Sequence, residues 1–222
     1  MEHKQAAKLI IENIQLLEKA NNLINEVLSE ELSNEIDQII QNEVENFETE
    51  IIGIYDFTDS DTWFLSTQWK IEPFELENSK THNNLYAFYQ FTNEERNKHT
   101  NNWWMSNLFE NETDQMVLCF SFWKNGFNKA SGNDWKRFAL EMNQNYPILE
   151  QLGFKFNVNN QTWYMPINYL DQKLVVENYM NETLEDALTP IKEALEKLKL
   201  AHPTFNQIVQ NTINKFNIPD TQ

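Results

Sequence analysis

With 222 residues, 41% of them apolar, and with 7 Trp and 15 Phe, the chain has material for a well-filled core rather than a disordered acidic tail. One cysteine excludes a disulfide framework, and four scattered glycines, none followed by lysine, exclude a P-loop and a dinucleotide fingerprint. A formal charge of -17, from 17 basic and 34 acidic residues, disfavours binding to phosphate backbones and anionic membranes.

Residues 4–48 read as helix, because Ile10, Ile14, Leu17, Ile24, Leu28, Leu32, Ile36, Ile40, Val44 and Phe47 follow a three-four spacing. The stretch Ser29 to Ser33 suggests a break into two helices, with Ser33 capping the second. The period then changes. Residues 51–55 and 63–69 flank the turn-rich Asp56-Phe57-Thr58-Asp59-Ser60-Asp61 and predict a hairpin. Leu85 to Phe91 and Met116 to Trp123 alternate and predict strands, with a loop and a short helix over 92–114. Ser131 opens a predicted helix reaching about Tyr146. Residues 154–158 and 161–164 flank Asn159-Asn160 as a second hairpin.

Helix returns through Leu188, Ile191, Leu195 and Leu198, with a kink expected at Pro190 and a last helix opening at Pro203. The pattern predicts a single α+β domain over 1–222. Five or six antiparallel strands form its centre, long N- and C-terminal helices pack on them, and residues 1–50 form a helical arm able to protrude. No apolar run reaches the roughly 18 residues of a membrane span, and no signal peptide opens the chain, so the expected setting is cytoplasmic.

Few residues read as catalytic. The four histidines, His3, His82, His99 and His202, show no metal-ligand spacing, and Cys119 lies in an apolar strand without a base beside it. Asp134-x-Lys136 and Asp171-x-Lys173 carry the carboxylate–lysine pairing of metal nucleases. Asp134, however, follows Ser131 as a helix cap would, and no Pro-Asp element precedes either pair. No catalytic residue, metal or cofactor is therefore expected.

The charge pattern says more. Between Lys19 and Lys70 there is no basic residue, but there are twelve acids. The candidate partner-binding set is Glu26, Glu30, Glu31, Glu35, Asp37, Glu43, Glu45, Glu48 and Glu50, with the Trp103-Trp104 pair as a contact anchor. A carboxylate face steers in a basic partner, such as a nuclease or another nucleic-acid-binding protein, and repels nucleic acid itself. The leading expectation is a non-enzymatic inhibitor, either immunity- or antitoxin-like or a DNA mimic with carboxylates spaced as phosphates are. The alternative is an enzyme or small-ligand domain with its site in the aromatic-rich middle, residues 63–123.

Overall fold

The computed structural model describes residues 2–95, 104–110, 114–127 and 131–217. The N-terminal apolar spacing yields one nearly unbroken helical run. Helix α1 (Glu2–Glu12) meets α2 (Ile14–Leu23) at Asn13, whose side-chain amide donates to the Leu9 carbonyl at 2.8 Å. A single π turn follows (Ile24–Leu28), closed by the Ser29 N–H on the Ile24 carbonyl, and α3 (Ser29–Val44) continues from it. The break expected at Ser29 to Ser33 does not occur. Ser33 is buried on the inner face of α3, inside the helix, and it caps nothing.

The π turn holds one residue more than an α turn, and this sets which residues face out. Upstream, the apolar rows fall at Ile10, Ile14, Leu17, Ile24 and Leu28. Downstream, the buried positions are Leu32, Ile36, Ile39, Ile40 and Val44. An unbroken seven-residue repeat would instead have put Glu31 and Glu35 inside. The extra residue rotates them out. Every residue from His3 to Leu23 is exposed, and burial begins at Ser29.

The strands are β1 (Ile51–Ile54), β2 (Trp63–Ser66), β3 (Ala87–Glu95), β4 (Asp114–Phe122), β5 (Lys155–Asn157) and β6 (Thr162–Pro166). They form one six-stranded antiparallel sheet in the order β1-β2-β3-β4-β6-β5, as the two predicted hairpins and central strands require. The register lines up Gly53, Phe64, Tyr89, Phe120 and Trp163 across five strands. The four aromatic members of this row are fully buried. Helix α4 (Gly132–Asn145) is capped by Ser131 as expected, the Asp134 N–H donating to its hydroxyl. Two short helices, α5 (Ile148–Gln151) and α6 (Gln172–Met180), flank the second hairpin.

The C-terminal expectation needs correcting. Pro190 sits in the first turn of α7 (Thr189–Phe216), where a missing N–H is harmless, and Pro203 lies inside that one helix. Proline in a helix interior costs about 3 kcal/mol. Burial of Phe205, Ile208, Val209 and Phe216 in line with Ile191, Leu195 and Leu198 outweighs it. Phe205 stacks on Phe120 of the aromatic row at 4.2 Å, and α3 packs beside α7.

Gly53 ends that row because nothing larger fits. A Cβ there would lie 2.6 Å from the Phe64 Cβ and 2.7 Å from the Trp63 carbonyl oxygen. Gly53→Ala should therefore destabilise the fold by about 2 kcal/mol, read as a lower urea midpoint at unchanged slope. An unchanged midpoint would show that β1 can move away from β2 freely.

Candidate functional site

The nine acids of the candidate set, from Glu26 to Glu50, divide into two groups and one exception. Glu30, Glu31 and Glu35 lie on the outer side of α3 near its start, with Glu26 exposed in the π turn before it. Glu45, Glu48 and Glu50 are exposed after the end of α3, with Glu43 half-buried beside them. Eight residues of helix, about 12 Å, separate Glu35 from Glu43. The intervening outer positions carry the amides Gln38, Gln41 and Asn42.

Asp37 is the exception. It is half-buried, and its carboxylate accepts the Phe57 N–H at 3.1 and 3.2 Å and, more weakly, the Thr62 hydroxyl at 3.4 Å. It ties α3 to the turn between β1 and β2 and does not join the outer face. Burial pushes its pKa up to about 6 from 3.8; the Asp56 charge adds to this, while the Phe57 and Thr62 hydrogen bonds oppose it. A carboxyl that holds its proton more tightly when folded contributes stability below pH 4 that is lost as pH rises through 6. Solvent screening leaves about 1 kcal/mol of this effect. Asp37→Asn keeps one acceptor and removes the charge. Relative to the parent, the variant should gain about 1 kcal/mol between pH 4 and pH 7 in urea melts. A gap that does not change with pH would mean that Asp37 titrates as an ordinary surface acid.

The first acidic group belongs to a cleft. Glu31 and Glu35 of α3, with Tyr179 and Met180 of α6, and Glu182 and Leu184 just beyond, line a cavity of about 440 Å³. Three acidic residues line it, and none of its described lining residues is basic. The Tyr179 hydroxyl donates to Glu31, and that bond raises the phenol's pKa above its ordinary value. Glu182 is held there with φ of 57°, an unusual backbone state for a residue with a side chain. Glu182 is absent from the set that the charge pattern picks out. Only the helix end at Asn181-Glu182 hinted at a turn there.

Of the aromatic pair, Trp103 lies outside the described residues, and Trp104 opens a short 3-10 turn, Trp104–Leu108. A smaller cleft of about 220 Å³ does open in the aromatic middle. Asp61, Trp63, His82, Phe88, Gln90 and Trp123 line it, with the Trp63 and His82 rings 5.1 Å apart. His82 is held there by donating Nε2–H to the Leu76 carbonyl at 2.6 Å.

The nuclease-like pairs lie at helix starts. Asp134 sits in the first turn of α4 and pairs with Arg137 at 2.6 Å, and Asp171 accepts the Lys173 and Leu174 N–H groups at the start of α6. Cys119 is buried in the sheet, and burial, with the Glu94 charge, pushes its thiol up to about 12, so it is a poor nucleophile. Among the described residues no three His, Cys, Asp or Glu side chains come together in a metal-holding group. Among them, too, no helix is long and apolar enough to cross a membrane.

Taken together, these features define an α+β protein with an acidic cleft between two helices. Comparison of the chain with protein-family models, with curated proteins and with solved structures gave no match.

Proposed function

We propose that the chain is a non-enzymatic, cytoplasmic binding protein whose acidic face docks on a basic protein surface. The cleft formed by Glu31, Glu35 and Glu182 is the observation that carries this reading. Three acidic residues around a cavity with no base among its described lining residues suit an arginine or lysine side chain from outside. The ion pairs Lys8–Glu12 and Arg137–Asp134 lie away from this face and take up none of its carboxylates. The gap of about 12 Å between the two acidic groups favours an immunity- or antitoxin-like match to one basic partner, such as a nuclease. A DNA mimic would need carboxylates without such a break, spaced as phosphates are, about 7 Å along each strand.

A small-ligand or enzyme site in the aromatic middle is the second reading, favoured by the Trp63–Phe88–Trp123 cleft. Its 220 Å³ falls below the roughly 300 Å³ at which ligand pockets begin, which ranks it second. The readings separate on immobilised full-length chain exposed to a lysate of its native host or of competing strains. The binding reading expects a basic protein retained at 50 mM salt and released by 0.5 M. Retention of acidic proteins alone, or of none, would count against it.

A further inference from the structure

The arm formed by α1, α2 and the π turn exposes Leu9, Ile10, Ile11, Ile14, Leu16, Leu17, Leu23 and Val27. Leu9, Ile11 and Leu16 are each more than 60% exposed. These side chains form stripes rather than scattered points. Leu9, Leu16 and Leu23 recur every seven residues; beside them run Ile10, Leu17 and Ile24, and then Ile14 and Leu28. Such rows cover about half of a helix's circumference, wider than the seam of a solvent-facing surface helix. Together they offer on the order of 800 Å² of apolar surface, the share one partner contributes to a stable interface.

We infer that this arm is a dimerisation element that pairs antiparallel with the arm of a second copy of the chain. Three observations select this occupant. Residues 2–28 carry Lys4, Lys8 and Lys19 against Glu2, Glu12, Glu18 and Glu26, so the arm is nearly neutral at -1 while the rest of the chain holds -16 of the -17. Two arms therefore meet with little repulsion. Antiparallel pairing also keeps the two charged parts roughly 40 Å apart, the length of about 27 helical residues and several Debye lengths.

The second observation is continuity. At the root of the arm Leu28 and Leu32 also wall an apolar groove of about 550 Å³ completed by Phe109, Val175, Val176 and Tyr179. The tip of an antiparallel partner arm arrives at this groove, which supplies the second apolar neighbour that a stripe this wide requires. The third is the polar face. It mixes Lys8 and Lys19 with Glu12, Glu18 and Glu26, whereas helices that lie on membranes carry a predominantly basic polar face. The inference does not depend on the acidic-cleft reading.

Sedimentation of the full chain at 1–100 µM is expected to show a dimer. Leu16→Gln, Leu17→Gln and Leu23→Gln combined should raise its dissociation constant at least 100-fold. Emission from the fully buried Trp69, Trp135 and Trp163 should not change, because the arm lies outside the core that holds them. Orientation is read from cross-linking. Equal parts of Ala7→Cys and Val27→Cys chains, mixed and oxidised, should give the mixed disulfide, with Cys119 buried and unreactive. A parental monomer at 100 µM overturns the inference, whether or not the arm binds neutral phosphatidylcholine vesicles. So does a dimer that survives the triple substitution. Self-linked species in place of the mixed one, or no mixed disulfide, overturn the antiparallel pairing.

Discussion

The protein is expected to lose roughly 3 kcal/mol of stability between pH 6.5 and pH 4 because of one side chain, His202. The ring is buried in α7 against Trp69 and Phe47, with Nε2 2.7 Å from the Thr49 hydroxyl and Nδ1 2.9 Å from the Tyr89 hydroxyl. Burial pushes its pKa down to about 4 from 6.5. A histidine that resists protonation when folded contributes stability that is complete above pH 6.5 and lost as pH falls through 4. The loss is steeper than the opposing gain from Asp37, which acts between pH 6 and 4 and is the smaller of the two. His202→Leu should abolish this acid limb. At pH 7.5 it should also cost about 3 kcal/mol, because the fully buried Tyr89 hydroxyl and the Thr49 hydroxyl lose their partner. Chemical melts at pH 7.5, 5.5 and 4.5 test both parts. A parental stability that stays flat over that range would show that His202 protonates without opening the core.

Neutralising the cleft should have the largest effect on binding. Glu31→Gln, Glu35→Gln and Glu182→Gln together preserve shape and remove the charge that a partner's arginine or lysine would meet. Each charge-assisted contact is worth about 1–3 kcal/mol, so the triple variant should bind at least 100-fold more weakly. Glu185→Gln, Glu193→Gln and Glu196→Gln remove the same number of charges from exposed positions on the C-terminal side and should change affinity less than threefold. Equal losses from the two triples would mean that net charge alone drives association. Folding should survive in both, since exposed substitutions stay within about 0.5 kcal/mol each.

The sheet was legible because alternation and turn chemistry are local. Ile51–Ile54 and Trp63–Ser66 pair as the Asp-rich turn between them implies, and Lys155–Asn157 pairs with Thr162–Pro166 around Asn159-Asn160. The helix boundaries were less legible, because tertiary packing decides them. Pro203 reads as a helix start, yet Phe205 stacked on Phe120 keeps α7 in one piece. Ser33 reads as a cap, yet the π turn at Ile24–Leu28 carries the helix past it.

Of the site, the acids at Glu31 and Glu35 were visible as a run of one sign. A run cannot say which members turn inward. Asp37 follows the buried Ile36 and lies one helical turn from Ile40, and that neighbourhood, rather than its charge, marks it as structural. Glu182 was invisible for a different reason. It is 147 residues from Glu35, and only the packing of α6 near the start of α3 brings the two to one cleft.

The most direct test uses two baits side by side, the parental chain and the Glu31→Gln, Glu35→Gln, Glu182→Gln variant, against the same host lysate at 50 mM salt. The acidic-cleft account predicts a basic protein retained by the parent, eluted by salt, and absent from the variant. The same protein recovered equally on both baits would contradict it.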